Sequence, residues 1–279
     1  MKVRLIAFPI LILLLFSCGS KKLTDKEQAQ AHLEIAQKLF KSNKLNAAKI
    51  QIDSINKLFP KEVSVRKKAN DIFTQIQLIE QKKNLIYADS LFKIRKVTLD
   101  SMTRNFSFEK DEKYEDVGNY IYKSQRAENN TGRTYVKALV EETGTFLLSS
   151  IYCGAKPIKH FSTKFSVGDL LAETETVPDG SGYNYTYNDN GNTYENVIYR
   201  TDANKSIASF VQQNAKKPIL VTLTGKSGKK TYTLSEGEKK AISEAYNLSV
   251  VSSDVKKLER VINVSKKKII LYETGLAQN

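Results

Sequence analysis

The sequence predicts an α+β protein in which helices and strands occupy separate parts of the chain. Residues 21–117 contain no glycine and one proline, Pro60, a composition typical of helices. Beyond residue 132, short apolar runs alternate with turn residues, which indicates antiparallel strands. Residues 235–279 return to helical spacing. We therefore expect an N-terminal helical hairpin plus a long helix, then an antiparallel β-rich domain with C-terminal helices.

The first residues have the pattern of a secretory signal peptide. Lys2 and Arg4 precede an apolar run at residues 5–16, and this run is too short for a stable membrane span. We expect cleavage after Ser17. Residues 1–17 would then be the signal peptide, and residues 18–23 a tether.

Leu15, Ser17 and Cys18 resemble the lipobox of bacterial lipoproteins, although Phe16 is bulkier than the residue usual at its position. The resemblance implies that Cys18 is lipidated, and two or three acyl chains hold a protein on a membrane durably. In lipoprotein sorting, an aspartate after the cysteine retains the protein in the inner membrane. Here residues 19–20 are Gly-Ser, and no acidic cluster follows. We therefore expect the periplasmic leaflet of the outer membrane.

The chain is strongly basic, with a formal net charge of +14. Removal of Lys2 and Arg4 with the signal peptide leaves a charge of about +12. Net charge bears on association rather than on fold. A protein anchored in the periplasm meets anionic lipid, cell-wall polymer and acidic proteins, so we expect no nucleic-acid partner.

Residues 24–104 are predicted to form a helical arm. Thr24 and Glu27 have the spacing of a capping box, which places the start of the first helix. A second helix is expected to end at Pro60, and residues 62–104 are predicted to form one long helix. The apolar positions of the first two helices recur at intervals of three and four: Ala29, Leu33, Ala36 and Phe40, then Ala48, Ile52, Ile55 and Phe59.

The first two helices together resemble a tetratricopeptide repeat. The matching positions are Ala36, Leu39, Asn43, Leu45, Ala48, Ile52, Ile55 and Pro60. The resemblance implies two closely packed helices joined by a tight turn. Because a single repeat cannot bury its apolar face alone, we expect the long helix to cover it.

We predict a linker at residues 105–132 and a β-rich domain at residues 133–279. The predicted strands are residues 134–140, 146–153, 161–167, 183–187, 194–199, 219–224 and 230–234. Ser235 and Glu238 spell a second capping box. A helix is expected to begin there, with a final helix starting at Ser252 or Ser253.

Asn190-Gly191 is typical of a type I′ hairpin turn. With this turn, Tyr183, Tyr185 and Tyr187 alternate onto one face of the hairpin. Two interpretations remain open. The tyrosines could stack on sugar rings of a glycan or of peptidoglycan, or they could form a cross-strand ladder that stabilises the hairpin by a few tenths to about 1 kcal/mol per pair.

No catalytic motif is recognisable in the sequence. The segment at residues 225–231 lacks the first glycine of a phosphate-binding loop and leads into a predicted strand, so we interpret it as a hairpin turn. Cys153 and His160 lie in apolar strands without an orienting partner, and we expect both to be buried. No spacing predicts a metal site, so we expect no cofactor, no metal and no enzymatic activity.

Two functional hypotheses follow from these features. The leading one is a non-catalytic, membrane-anchored periplasmic lipoprotein that binds a protein partner of the cell envelope. The alternative is glycan or peptidoglycan binding through the tyrosine hairpin. Exposure of the three tyrosines is the structural property that would favour the alternative.

Replacing Cys18 by alanine should leave an uncut, unlipidated precursor, because the thiol is the expected site of acylation. The precursor would be recognised by its mass and by its failure to incorporate labelled fatty acid. Cys153→Ala is the matched control and should be processed normally. A Cys18→Ala chain that is cleaved and still sediments with membranes would contradict lipidation at this cysteine.

Overall fold

The computed structural model describes residues 23–113 and 116–277, which fall into two compact units. The first unit comprises the described residues up to Gln81 together with those from Lys268 onward, and the second runs from Lys82 to Lys267. The predicted signal peptide and Cys18 lie outside the described residues. Among the helices that are described, none is long and apolar enough to cross a membrane.

The first unit contains the predicted helical hairpin. Helix α1 spans Asp25–Lys41 and α2 spans Leu45–Leu58, and α3, Val63–Thr103, contributes its residues up to Gln81. The capping box is confirmed, since Thr24 N donates to Glu27 Oε2 at 2.8 Å and Glu27 N donates to Thr24 Oγ1 at 3.3 Å. The three helices share one core, in which alanines allow close approach: Ala29, Leu33, Ala36, Ala48, Ile52, Ile55, Phe59, Val65, Ala69, Ile72 and Ile76.

The second unit contains the strands, so the α+β class is confirmed. In chain order they are β1 Phe106–Glu109, β2 Asn119–Tyr122, β3 Tyr135–Glu141, β4 Phe146–Gly154, β5 His160–Val167, β6 Leu170–Glu173, β7 Asn184–Asp189, β8 Asn192–Tyr199, β9 Leu220–Gly225 and β10 Lys229–Thr233. Helix α4, Ala203–Gln213, lies between β8 and β9, and α5, Glu236–Ala277, follows β10.

The strands form two antiparallel sheets. One has six strands in the order β1-β2-β3-β4-β8-β7, and the other has four in the order β10-β9-β5-β6. The core lies between them and is completed by α4 and α5. Its buried residues include Val136, Val140, Phe146, Leu148, Phe165, Val197, Tyr199, Ile207, Val221, Leu223, Ile242 and Leu248.

The linker predicted at residues 105–132 is wrong, because β1 and β2 lie within it and extend the six-stranded sheet. Each of these strands has only four residues, and Phe106 and Ile121 are buried. The charged segment between them conceals the alternation in the sequence. Strand β6 and helix α4 were also not predicted.

The predicted break near Ser252 is absent, and α5 is one continuous helix. The serines serve close packing instead of capping. A Cβ atom at Gly144, in the turn between β3 and β4, would lie 3.1 Å from both Ser252 Oγ and Ser253 N. Small residues on both sides therefore let the turn approach the helix backbone.

The sequence predicts that α3 packs on α5 through Tyr87, Leu91 and Ile94. Within the second unit the two helices do meet, and Arg95 Nε lies 3.5 Å from Asp254 Oδ2. Leu99 and Met102 of α3 also pack on the core cluster that includes Leu248. The predicted face is wrong, however, because Tyr87 and Ile94 are exposed.

The hairpin of β7 and β8 has the predicted geometry. Asn190 and Gly191 have φ angles of 48° and 77°, as a type I′ turn requires at both central positions. Tyr185 pairs with Asn196, and Tyr187 pairs with Tyr194. The register is therefore the predicted one, and the tyrosines share a face.

Gly191→Ala should destabilise the protein by about 1–2 kcal/mol, because a left-handed φ is costly for a residue with a Cβ atom. No heavy atom lies within 4 Å of the added Cβ, so the cost is conformational. Gly182→Ala is the control, since its Cβ also meets open space and its φ lies outside the left-handed range. Urea denaturation showing equal losses for the two variants would contradict the type I′ assignment.

Candidate functional site

The six-stranded sheet has two faces with different environments. Side chains alternate along each strand, and Val136, Ala138 and Val140 of β3 face the core between the sheets. Tyr135 and Lys137 therefore lie on the opposite side, which we call the outer face. The neighbouring strands place Ser149 and Asn196 on the same face.

Two adjoining cavities lie on the outer face, and together we call them the outer-face cleft. The larger has a volume of about 400 Å³ and the smaller about 190 Å³. Lys137, Tyr185 and Asn196 line both cavities, so the two adjoin at these residues. The larger cavity alone falls within the range of volumes usual for small-ligand sites.

Tyrosines form one wall of the larger cavity. Tyr187 and Tyr194 stack with ring centroids 5.1 Å apart and planes 6° from parallel. Tyr185 follows at 6.4 Å from Tyr187. Tyr194 is buried, whereas Tyr185 and Tyr187 keep 46% and 48% of their surface exposed. The predicted ladder is therefore present, and it leaves two aromatic rings accessible in the cleft.

Tyr183 is placed differently from the other two predicted residues. It is 47% exposed, but it lines neither cavity of the outer-face cleft. The guanidinium carbon of Arg200 lies 5.2 Å from the centroid of its ring. The structure thus brings together two of the three predicted tyrosines and engages the third in a cation–π contact.

The cleft also carries a continuous set of polar groups that the sequence alone did not reveal. Asn196 Nδ2 donates to the Tyr185 hydroxyl at 2.5 Å, and the Ser149 hydroxyl donates to Asn196 Oδ1. These bonds fix the Asn196 amide and the Tyr185 ring relative to each other. Glu128, Asn130, Thr131 and Asp189 add further donors and acceptors to the larger cavity.

Burial shapes the ionisation of two groups in the cleft. Burial foremost, and then the neighbouring Tyr187, raises the pKa of Tyr135 to about 12, so its hydroxyl is neutral at physiological pH. Burial lowers the pKa of Lys137, while Glu109 and Glu128 oppose that shift. The cleft therefore contains an ammonium group that is partly removed from water.

A third cavity, of about 440 Å³, lies where the turn after β3 meets α4 and α5. Four of its five charged groups are already paired within the protein, and the fifth, Lys257, is exposed to water on α5. Arg200 contacts Glu141 at 2.6 Å, Lys205 contacts Asp202 at 2.7 Å, and Asp254 is the partner of Arg95. We therefore consider the outer-face cleft the stronger candidate site.

The core contains a serine, a histidine and a glutamate in the order of a hydrolase triad. Ser150 Oγ lies 2.9 Å from His160 Nε2, and His160 Nδ1 lies 2.6 Å from Glu195 Oε2. The chain of contacts continues from Ser150 Oγ to the Tyr199 hydroxyl at 2.8 Å and on to Thr163 Oγ1 at 3.0 Å. Sequence reasoning missed this cluster because its members are dispersed over three strands.

These groups are closed to solvent. Ser150 and His160 have no exposed surface, and Glu195 has 1%, so no substrate can reach the serine in this structure. Burial alone would raise the pKa of Glu195, but hydrogen bonds from the His160 side chain and from His160 N and Lys159 N hold that pKa below its ordinary value. The cluster therefore satisfies buried polar groups and links the two sheets.

The other sequence candidates carry no site. Cys153 is partly exposed instead of buried, and it lies opposite Tyr194 in the sheet. The segment at residues 225–231 is the predicted hairpin turn, with Gly225 N donating to Gly228 O at 2.9 Å. In the part of the chain that the structure describes, no group of three or more metal-ligating side chains comes together.

Comparison with known proteins gave no assignment. No protein-family model, no curated protein and no solved structure matches the chain.

Glu195→Gln should change how stability depends on pH. Because folding lowers the pKa of Glu195 from 4.5, its carboxylate stabilises the native state above about pH 4.5, and this contribution is lost as the pH falls through the lowered value. The free energy of unfolding of the variant should be about 1–3 kcal/mol lower than that of the wild type at neutral pH. It should also change less with pH in the acid range. Glu259→Gln, on the exposed side of α5, is the control. If the free energies of unfolding of wild type and Glu195→Gln change with pH in the same way between pH 3 and 7, this role is contradicted.

Proposed function

We propose that the outer-face cleft binds a glycan and that the protein acts as a non-catalytic, membrane-anchored binding protein. The observation that carries the proposal is the pair of half-exposed rings, Tyr185 and Tyr187, in a cavity whose other lining residues are mostly polar. Aromatic rings offer an apolar surface with a polar edge. The C–H faces of sugar rings pack on such surfaces while their hydroxyls bond to nearby polar groups.

The mixture of polar groups supports a sugar ligand. The cleft presents the carboxylates of Glu128 and Asp189, the amide of Asn196 and the ammonium of Lys137. A hydroxyl can both donate and accept, so a polyol can satisfy this whole set. A purely apolar ligand would cover the same groups without offering them hydrogen bonds, and removing unpaired polar groups from water is costly.

The expected location supports the same ligand class. If Cys18 is lipidated, the protein is held at the periplasmic face of the outer membrane, where cell-wall polymer is within reach. We therefore propose peptidoglycan strands, or another envelope glycan, as the ligand. The Ser150–His160 pair is closed to solvent, which agrees with binding without hydrolysis.

A protein partner of the envelope is the second candidate, and a separate surface favours it. Ile86, Tyr87, Ile94 and Val97 lie along α3 and are 63–71% exposed. Contiguous exposed apolar residues often mark interaction surfaces. This stripe is distinct from the cleft, so the two hypotheses concern different residues.

Tyr185→Ala and Tyr187→Ala should each weaken binding to purified peptidoglycan by on the order of tenfold, as expected for a central aromatic contact. Tyr183→Ala should leave binding unchanged, because Tyr183 lines neither cavity. The three residues are equally exposed on one hairpin, so Tyr183→Ala is a matched control. Co-sedimentation with insoluble peptidoglycan measures the affinity.

Tyr187→Phe keeps the ring and should bind nearly as well as the wild type, which separates the contribution of the ring from that of the hydroxyl. Equal losses for all three alanine variants would contradict a site in the cleft. The second candidate would be favoured if the wild-type protein bound an envelope protein and no glycan, and if Ile94→Arg abolished that protein binding.

A further inference from the structure

We propose that the glycan carries a carboxylate and that Lys137 binds it where the two cavities of the cleft adjoin. This inference rests on the proposed function and specifies its ligand class. The first observation that supports it is the position of Lys137. Lys137 lies on β3 directly opposite Ser149 of β4, and it lines both the larger and the smaller cavity.

The Lys137 ammonium has no hydrogen-bond or ion-pair partner among the residues that the structure describes, although the side chain is partly buried. Lys239, which is buried, shows how the same fold treats a lysine that is removed from water. Its Nζ donates to Ala215 O at 2.9 Å, to Lys217 O at 2.8 Å and to Glu236 Oε1 at 2.7 Å. A buried charge is costly unless it is paired. Lys137 is therefore the group in the cleft that gains most from a ligand.

The carboxylates near Lys137 do not fill this role. Glu128 forms an ion pair with Arg126, and Glu109 is exposed to water. Neither carboxylate lies within 4.0 Å of the Lys137 ammonium, although both act on it at longer range. Burial remains the main influence on Lys137 and lowers its pKa. An acceptor with a full negative charge compensates such burial best, because charge-assisted hydrogen bonds are the stronger ones.

The positions of the tyrosine wall and of Lys137 determine where the sugar ring and the carboxylate of the ligand lie. A sugar ring that packs on Tyr185 and Tyr187 fills the larger cavity, and its acidic substituent or the next ring reaches the junction at Lys137. Two kinds of envelope sugar offer this chemistry. One is a ring with a lactyl ether, as in the glycan strands of peptidoglycan, and the other is a uronic acid.

Calorimetric titration of the full mature chain in detergent tests the inference with matched ligands. In the first pair, the neutral ligand is the β-1,4-linked tetramer of N-acetylglucosamine. The carboxylated ligand is the peptide-free tetramer of the same linkage in which alternate rings carry a lactyl carboxylate. The second pair is galactotetraose and tetragalacturonate of the same linkage. We expect at least one carboxylated ligand to bind about tenfold more tightly than its neutral counterpart, and the pair that shows the difference identifies the source of the carboxylate.

Lys137→Met should abolish the preference for the carboxylated ligand, so that the carboxylated and neutral members of each pair bind with affinities within about threefold of each other. Lys137→Arg should retain part of the preference, since it keeps the charge. Lys229→Met, on an exposed strand of the other sheet, is the control and should behave as wild type.

Neutral and carboxylated ligands binding equally well, or a preference that survives in Lys137→Met, would overturn the role of Lys137 and leave glycan binding standing. Absence of binding by all four oligosaccharides, with insoluble peptidoglycan also unbound, would overturn both proposals.

Discussion

The chain of buried polar contacts from Glu195 to Thr163 is the constraint on which the β-rich unit depends. It begins on β8 at Glu195, crosses to His160 of β5, returns to Ser150 of β4 and ends at Thr163 of β5 by way of Tyr199. Strands β4 and β8 belong to one sheet and β5 to the other. Hydrophobic packing is tolerant of small shifts, whereas a buried hydrogen-bonded chain is satisfied in only one arrangement of the sheets.

The same two strands carry the proposed site on their other side. Ser150 faces the polar chain, and the preceding residue, Ser149, faces the cleft. Glu195 likewise faces inward, while its neighbours Tyr194 and Asn196 line the cleft. A slip of one residue in the pairing of β4 and β8 would exchange these two sets. The interior contacts thus fix which residues the outer face presents.

The sequence predicts this fold well where the local signal is strong. The capping box at Thr24, the long helix after Pro60 and the turn at Asn190-Gly191 are set by neighbouring residues, and the structure contains all three. The strands at residues 106–109 and 119–122 escape prediction because they are short and flank a charged segment. The break expected at Ser252 is absent, because that serine packs on Gly144, which is distant in sequence.

The candidate site was predictable only in part, because it is assembled from residues that are distant in sequence. Alternation along β7 places Tyr185 and Tyr187 on one face, and their exposure could not be known before the sheet order was known. Lys137 and Ser149 join them through the pairing of β3, β4 and β8. No short-range pattern marks these residues, and none indicates that Tyr183 contacts Arg200 and lies outside the cleft.

Fluorine NMR of protein labelled with 3-fluorotyrosine tests the central claim, that the outer-face cleft is the ligand site, most directly. The resonances of Tyr183, Tyr185, Tyr187 and Tyr232 can be assigned by single replacement with phenylalanine and then followed during addition of peptide-free peptidoglycan strands. We predict saturable shifts for Tyr185 and Tyr187, with Tyr183 and the core residue Tyr232 unchanged. Shifts confined to Tyr183, or binding that leaves the Tyr185 and Tyr187 resonances in place, would contradict the account.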